Sequence, residues 1–281
     1  MSSGMRGKNM SYIKEIQDCY PELTKSERKM ADYILTNRSE VSNKTMNDIT
    51  AEISVGDATV IRFCKKIGYS GFSDLKIEIA KEDFSKRYEY QSEEMYYDKI
   101  FQDSITVLNE TYQLIDSNDL QKTIQYIAQA ENISIFGVGS SGQIGVSFEK
   151  MLLRVGLRGK AYNDAHFQSQ VASIMSANDV VVAMSLYGRT KDIIDSVRLA
   201  KKNGAKIIVL SNTTISPLSK LADVLLQTPV NEFINGESIE GKIAQLSICE
   251  TIVRGYELEH KKDVLEIREK ITRSIIGKQV E

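Results

Sequence analysis

The strongest constraint on this chain lies in its second half. Short runs, most of them rich in valine and isoleucine, recur there between helical stretches: "NISIFGVG", "GKAYND", "DVVVAMS", "KIIVLSN" and "VLLQTPV", all between residues 132 and 230. Segments this short and this continuously apolar are strands covered on both faces. Consecutive parallel strands need a crossover, and helical segments such as "TKDIIDSVRLAKKNG" separate most of these runs. The pattern predicts an α/β domain with a parallel sheet covered by helices on both faces. A long helical region from Ser238 to about Ile276 closes it.

The first part of the chain has no strand-like alternation. "LTKSERKMADYILTN" places Thr24 three residues before Glu27, a capping-box spacing, and puts Met30, Ile34 and Leu35 on one face. "TMNDITAEI" repeats the device with Thr45 and Asp48, "SVGD" breaks the chain, and "ATVIRFCKKIGY" resumes it. Two short helices around a glycine-containing break have helix-turn-helix proportions. On the second, Ile61, Cys64 and Ile67 recur at helical spacing and are expected to face the core. Thr59, Arg62, Lys65 and Lys66 then lie on the opposite side, a hydroxyl and three cations suited to phosphates and base edges. Asp57 adds a local negative charge. The plain alternative is the solvated face of an ordinary helical bundle. Residues 82–98, highly charged and rich in tyrosine, read as a connecting segment.

Composition excludes several classes. At 281 residues the chain has room for two domains, and 42% hydrophobic with 26% charged residues fits a soluble globular protein. No run approaches the ~18 apolar residues of a membrane span, and "MSSGMRGKNMSYIK" lacks the apolar core of a signal peptide. Cys19, Cys64 and Cys249 are far apart and without metal-ligand spacing, so they read as reduced thiols of a cytoplasmic protein. Two histidines leave little material for a metal site, and neither metal nor cofactor is expected. A net charge of -2 means that any nucleic-acid binding must come from a local surface.

The segment from Gly137 to Gly142, "GVGSSG", follows a strand and opens a helix. It satisfies G-x-G-x-x-G, and Asp164 stands where a dinucleotide fold places a ribose-binding acid. Amide N–H groups at such a turn hold an anion whatever its owner. Ser140 and Ser141 favour a sugar phosphate over a dinucleotide, because their hydroxyls donate to phosphate oxygens. A second loop, "SLYGRT", offers Ser185, Gly188 and Thr190 at the end of another strand. Two such loops are expected to converge on one phosphate at the carboxyl edge of the sheet.

"LTKSERKMADYIL", "ATVIRFCKKIGYSGFSDLK" and the GSS-containing α/β domain together resemble the RpiR family of bacterial transcriptional regulators, over roughly residues 12–260. The resemblance implies a helix-turn-helix DNA-binding domain at 10–82, a linker and connecting helix at 83–118, a SIS (sugar isomerase) phosphosugar-binding domain at 119–260 and a helical tail at 261–281. It places Thr59, Val60, Arg62 and Lys65 on the recognition helix; Thr45, Asp57 and Lys66 complete the candidate DNA-facing set. Gly56 stands where relatives often carry a capping serine. In the SIS domain the resemblance implicates Ser140, Ser141, Ser185 and Thr190 in holding phosphate. Tyr187 replaces the usual second serine of the S-x-S-G-x-T loop. His166, in "YNDAHF", Glu237, before "SIEGKIAQL", and Lys242 are candidate sugar contacts, although Glu237 and Lys242 equally suit a helix terminus.

These readings join into one expectation: a cytoplasmic, non-enzymatic regulator that binds double-stranded operator DNA and changes its affinity on sensing a phosphosugar. It acts as a homodimer or homotetramer, without a membrane. The alternatives are a phosphosugar isomerase, with Glu237 and a histidine as acid and base, and a protein that meets another protein through its helical domain.

Overall fold

A computed structural model describes residues 11–37, 41, 44–88, 95–229 and 239–276. Glu237, a candidate sugar contact, lies outside the described residues. The chain forms two compact units that divide between Tyr96 and Tyr97.

The N-terminal unit contains α1 (Tyr12–Cys19), α2 (Lys25–Thr36), α3 (Met46–Ile53), α4 (Asp57–Lys66) and α5 (Phe72–Tyr88). Both expected capping boxes form: Thr24 with Glu27 opens α2, and Thr45 with Asp48 opens α3. The start of α1 is tied to α5, where Glu82 accepts from the Ser11 hydroxyl at 2.8 Å and the Tyr12 amide at 2.7 Å. Tyr12, Ile16, Met30, Ile34, Ile49, Val60, Phe63, Leu75 and Ile79 form one core. Each such aliphatic or aromatic side chain contributes ~1.5–3 kcal/mol on burial. α5 runs on to Tyr88, past residue 82 where the weakening periodicity placed a boundary.

The turn between α3 and α4 contains one left-handed residue. The left-handed residue is Ser54, with φ 53°, whereas Gly56 is extended and serves as the N-cap of α4.

The second unit opens with α6 (Tyr96–Leu114) and α7 (Ser117–Gln129) and continues as β1 (Asn132–Phe136), α8 (Gly139–Leu153), β2 (Gly159–Tyr162), α9 (Ala165–Ser173), β3 (Asp179–Met184), α10 (Lys191–Lys202), β4 (Lys206–Ser211) and β5 (Val224–Gln227). All five expected strands are present. They pair in parallel in the order β2-β1-β3-β4-β5. Period-two side-chain alternation splits the core as the sequence pattern requires. Ile133, Ile135, Val180, Val182, Ile208 and Leu210 face α7 and α8, while Val181, Ala183, Ile207 and Val209 face α9 and α10.

The closing helical region is two helices, α11 (Ile239–Glu259) and α12 (Lys261–Ile276). The break falls at His260, whose ring stacks on Tyr256 at 4.2 Å with its Nδ1 3.0 Å from the Tyr256 carbonyl. Val264 of α12 is buried in the core that α7, α8 and α11 share.

All three cysteines are free thiols. Burial pushes the Cys64 thiol up to about 12 and raises Cys249 as well.

Candidate functional site

In the α/β unit the chain turns one way from β1 to β2 and the other way from β1's second neighbour, β3. Open sheets bind ligands in the crevice outside the carboxyl ends of strands at such a switch point. The two loops singled out in the sequence leave from these two strands. β1 and β3 are directly paired up to Phe136 opposite Ala183, so Gly137–Gly142 and Ser185–Thr190 emerge side by side.

The first loop is compressed to backbone dimensions. A Cβ on Gly137 would lie 2.9 Å from the Ser141 carbonyl oxygen and 3.0 Å from the Gly142 nitrogen, so only glycine fits. Ser140 and Ser141 fall in the first turn of α8, half-buried. In the second loop Ser185 Oγ lies 3.4 Å from Thr190 Oγ1. Gly188 has φ +60°, and a Cβ there would meet Ser216 Oγ at 2.1 Å. The Leu186 carbonyl accepts from the Ser211 hydroxyl at 3.0 Å and from the Asn212 amide at 2.8 Å, which knits this loop to the end of β4. Neither loop contains an acid, and Arg189 adds a cation to the second. Both properties suit an anion.

Helix caps sharpen the assignment. Side chains close the N-termini of α1 (Ser11), α2 (Thr24), α3 (Thr45), α7 (Asp116) and α9 (Asp164). No side chain caps α8, α10 or α4. The first N–H groups of a helix need an acceptor, and they favour negative charge. Two of these open helices, α8 and α10, follow the serine-bearing loops, and the third, α4, is the candidate DNA-reading helix.

Asp164 is committed elsewhere: it caps α9 by accepting from the Phe167 amide at 3.0 Å. The carboxylate that a dinucleotide reading needs is therefore spent on a helix end. His166 is exposed in the first turn of α9, beyond the carboxyl end of β2, and Lys242 is half-buried in the first turn of α11. Tyr187 is half-buried in the loop after β3, its hydroxyl shielded from solvent.

Sequence reasoning passed over Gln168. It is fully buried, and its Nε2 donates to the Gly137 carbonyl at 3.1 Å and to the Tyr162 carbonyl at 2.7 Å. One side chain thereby holds the ends of β1 and β2 together beneath the glycine turn. Asn163 was also passed over; its Oδ1 would lie 3.1 Å from a Cβ on Gly142. Neither carries a local signal, because both contacts join residues brought together only by the sheet.

On α4 the expected facing needs correction. Val60, Phe63, Cys64 and Ile67 form the buried stripe, and Thr59 is 8% exposed, so Thr59 and Val60 are not on the outer face. Ile61, expected in the core, is 39% exposed. The outer face carries Asp57, Ala58, Ile61, Arg62 and Lys65. The Thr59 hydroxyl instead accepts from Arg62 Nη2 at 3.3 Å. Lys66 turns back to the start of α2, donating to the Glu22 carbonyl at 2.7 Å and pairing with Glu27 at 3.2 Å. Thr45 is occupied with its own helix, donating to Asp48 Oδ2 at 2.7 Å.

The comparisons with known proteins cover both units. A family model described as a helix-turn-helix domain of the rpiR family matches residues 10–86, and one described as a SIS domain matches 126–254. An HTH-type transcriptional regulator of Haemophilus influenzae is 33% identical over 259 residues, spanning 87% of this chain and 89% of the relative. The HTH-type transcriptional regulator HexR of Pseudomonas aeruginosa is 28% identical over 94% of this chain and 95% of its own. Among solved structures, the Vibrio vulnificus NanR protein complexed with ManNAc-6P superposes with a TM-score of 0.78 at 26% identity, covering 96% of this chain and 100% of that one. Among the described residues no helix is long and apolar enough to cross a membrane, and no cluster of potential metal ligands is found.

Proposed function

The chain belongs to the RpiR family of helix-turn-helix transcriptional regulators carrying a SIS domain, and from that premise we propose that it binds operator DNA through α4 and senses a phosphosugar at the β1–β3 switch point. The observation that carries the sensing half is the pair of uncapped helices, α8 and α10, that start beside hydroxyl-bearing, acid-free loops on adjacent strands. A phosphate dianion supplies the acceptors that both helix ends lack. Ser140, Ser141, Ser185 and Thr190 are its hydroxyl donors, Arg189 adds charge, and Gln168 holds the glycine turn in shape. His166, Tyr187, Glu237 and Lys242 are assigned to the sugar end of the ligand.

In the helical unit, Arg62 and Lys65 serve as the phosphate- and base-facing cations, and the open end of α4 receives a backbone phosphate. One helix-turn-helix reads too few base pairs for an operator, so the active species is a homodimer or homotetramer. A ligand that favours one arrangement of paired DNA-binding domains by ~1–3 kcal/mol suffices to switch occupancy. The protein is a sensor in the cytoplasm and does not turn the sugar over.

The test is fluorescence anisotropy of the full chain on duplex DNA from upstream of its own coding region, with and without a panel of phosphosugars. N-acetylmannosamine 6-phosphate heads the panel, since it is the ligand in the NanR structure. Sequence-specific binding altered by one phosphosugar, recovered unchanged by NMR spectroscopy, is the expected result. Turnover of that sugar, abolished by Glu237→Gln, would establish an isomerase instead.

A further inference from the structure

The outer face of α4 contains an apolar pair as well as cations. Ala58 and Ile61 lie three residues apart, both exposed, on the side of the helix opposite the stripe Val60, Phe63, Cys64 and Ile67. That stripe already fills the core, so Ile61 is not needed for folding and loses burial by facing water. Around the pair stand Lys65, Arg62 and the uncapped start of the helix, where nothing lies within 4 Å of a Cβ on Gly56. Asp57 stands at the helix start and Arg62 and Lys65 along the face, so the pair is an apolar centre in a charged rim, and it complements a DNA major groove in one respect. The edges of the base pairs are polar there except for the C5 methyl group of thymine.

We infer that Ile61, seated beside Ala58, reads thymine methyl groups in the operator, while Arg62 and Lys65 hold the flanking phosphates and base edges. This rests on the DNA-binding reading above and deepens it. It predicts operator half-sites in which one or two thymines matter through the methyl group alone.

The experiment starts from duplexes selected by the full chain from a random-sequence pool. Each thymine is then replaced singly by uracil, which removes the methyl and leaves base pairing intact. Wild-type affinity is expected to fall about fourfold at one or two positions per half-site, the ratio that one buried methyl carries. In Ile61→Ala those positions are expected to lose their thymine preference, and Ile61→Val should retain part of it. Lys65→Ala, as control, should weaken thymine and uracil duplexes equally. Uracil tolerated at every position, or full discrimination surviving in Ile61→Ala, overturns the assignment to Ile61 while leaving DNA binding intact. Failure of the pool to yield any enriched sequence removes the DNA-reading role itself, and this assignment with it.

Discussion

The two units solve the same problem, holding a phosphate, with opposite materials. In the helical unit the candidate binding groups are long: Arg62 and Lys65 reach outward from an exposed face, and the core beneath them is closed. In the α/β unit they are short: the serines, Thr190 and backbone N–H groups lie on loops that only glycine can form at Gly137 and Gly188. The contrast follows from the partners. Duplex DNA is a large, rigid polyanion met from one side, so attraction at a distance serves better than close fit. A sugar phosphate is small and must be enclosed, which rewards preorganised donors over flexible charge. The candidate anion-facing helices α4, α8 and α10 have no side-chain cap, whereas α3, α7 and α9 do.

The largest effect that tests this contrast is expected at Gln168. Gln168→Leu removes the donor to the buried Gly137 carbonyl, at about 1–3 kcal/mol for a buried group left unpaired, and leaves the Tyr162 carbonyl only the longer bond from the Gly137 amide at 3.5 Å. Urea denaturation should show that loss, and calorimetric phosphosugar affinity should fall more than tenfold. DNA binding in the absence of sugar should be unchanged; if it falls in parallel, the two units do not divide the work in this way.

A smaller effect is expected from supplying the missing cap. Val138→Thr keeps the branched shape at the N-cap position of α8 and adds a hydroxyl that accepts from the first turn. Thermal stability without ligand should rise, by up to ~1 kcal/mol, while phosphosugar affinity falls. An unchanged affinity would mean that the end of α8 does not hold the phosphate. The smallest effect belongs to Lys65→Ala, which should weaken all duplexes uniformly and lower the slope of log affinity against log salt by about 1. Sugar affinity should show almost no salt slope in either protein.

The fold was legible wherever local chemistry decides it. Four aliphatic-rich runs and "GKAYND" became five strands, and the Thr24–Glu27 and Thr45–Asp48 spacings became capping boxes. The facing of α4 was not, because Ile61–Cys64–Ile67 also fits a helical period. The wider stripe Val60–Phe63–Cys64–Ile67 prevails since it buries an additional aromatic ring. At the site, the glycines and hydroxyls could be read because each sits in its own turn. The Gln168 clamp spans 31 residues to Gly137, and the seat of Gly188 against Ser216 spans two loops, so neither leaves a trace in any short window of sequence.

The placement of the free thiols has a practical consequence. Cys64 lies in the core of the helical unit and Cys249 in that of the α/β unit, both fully buried and both with raised pKa. A thiol reacts as thiolate, so each stays silent until its own surroundings open. The chain thus carries one built-in clock per unit, and labelling followed by peptide mass mapping reads two opening rates from a single sample. With DNA or a sugar phosphate added, the clock that slows identifies the unit where each ligand lands.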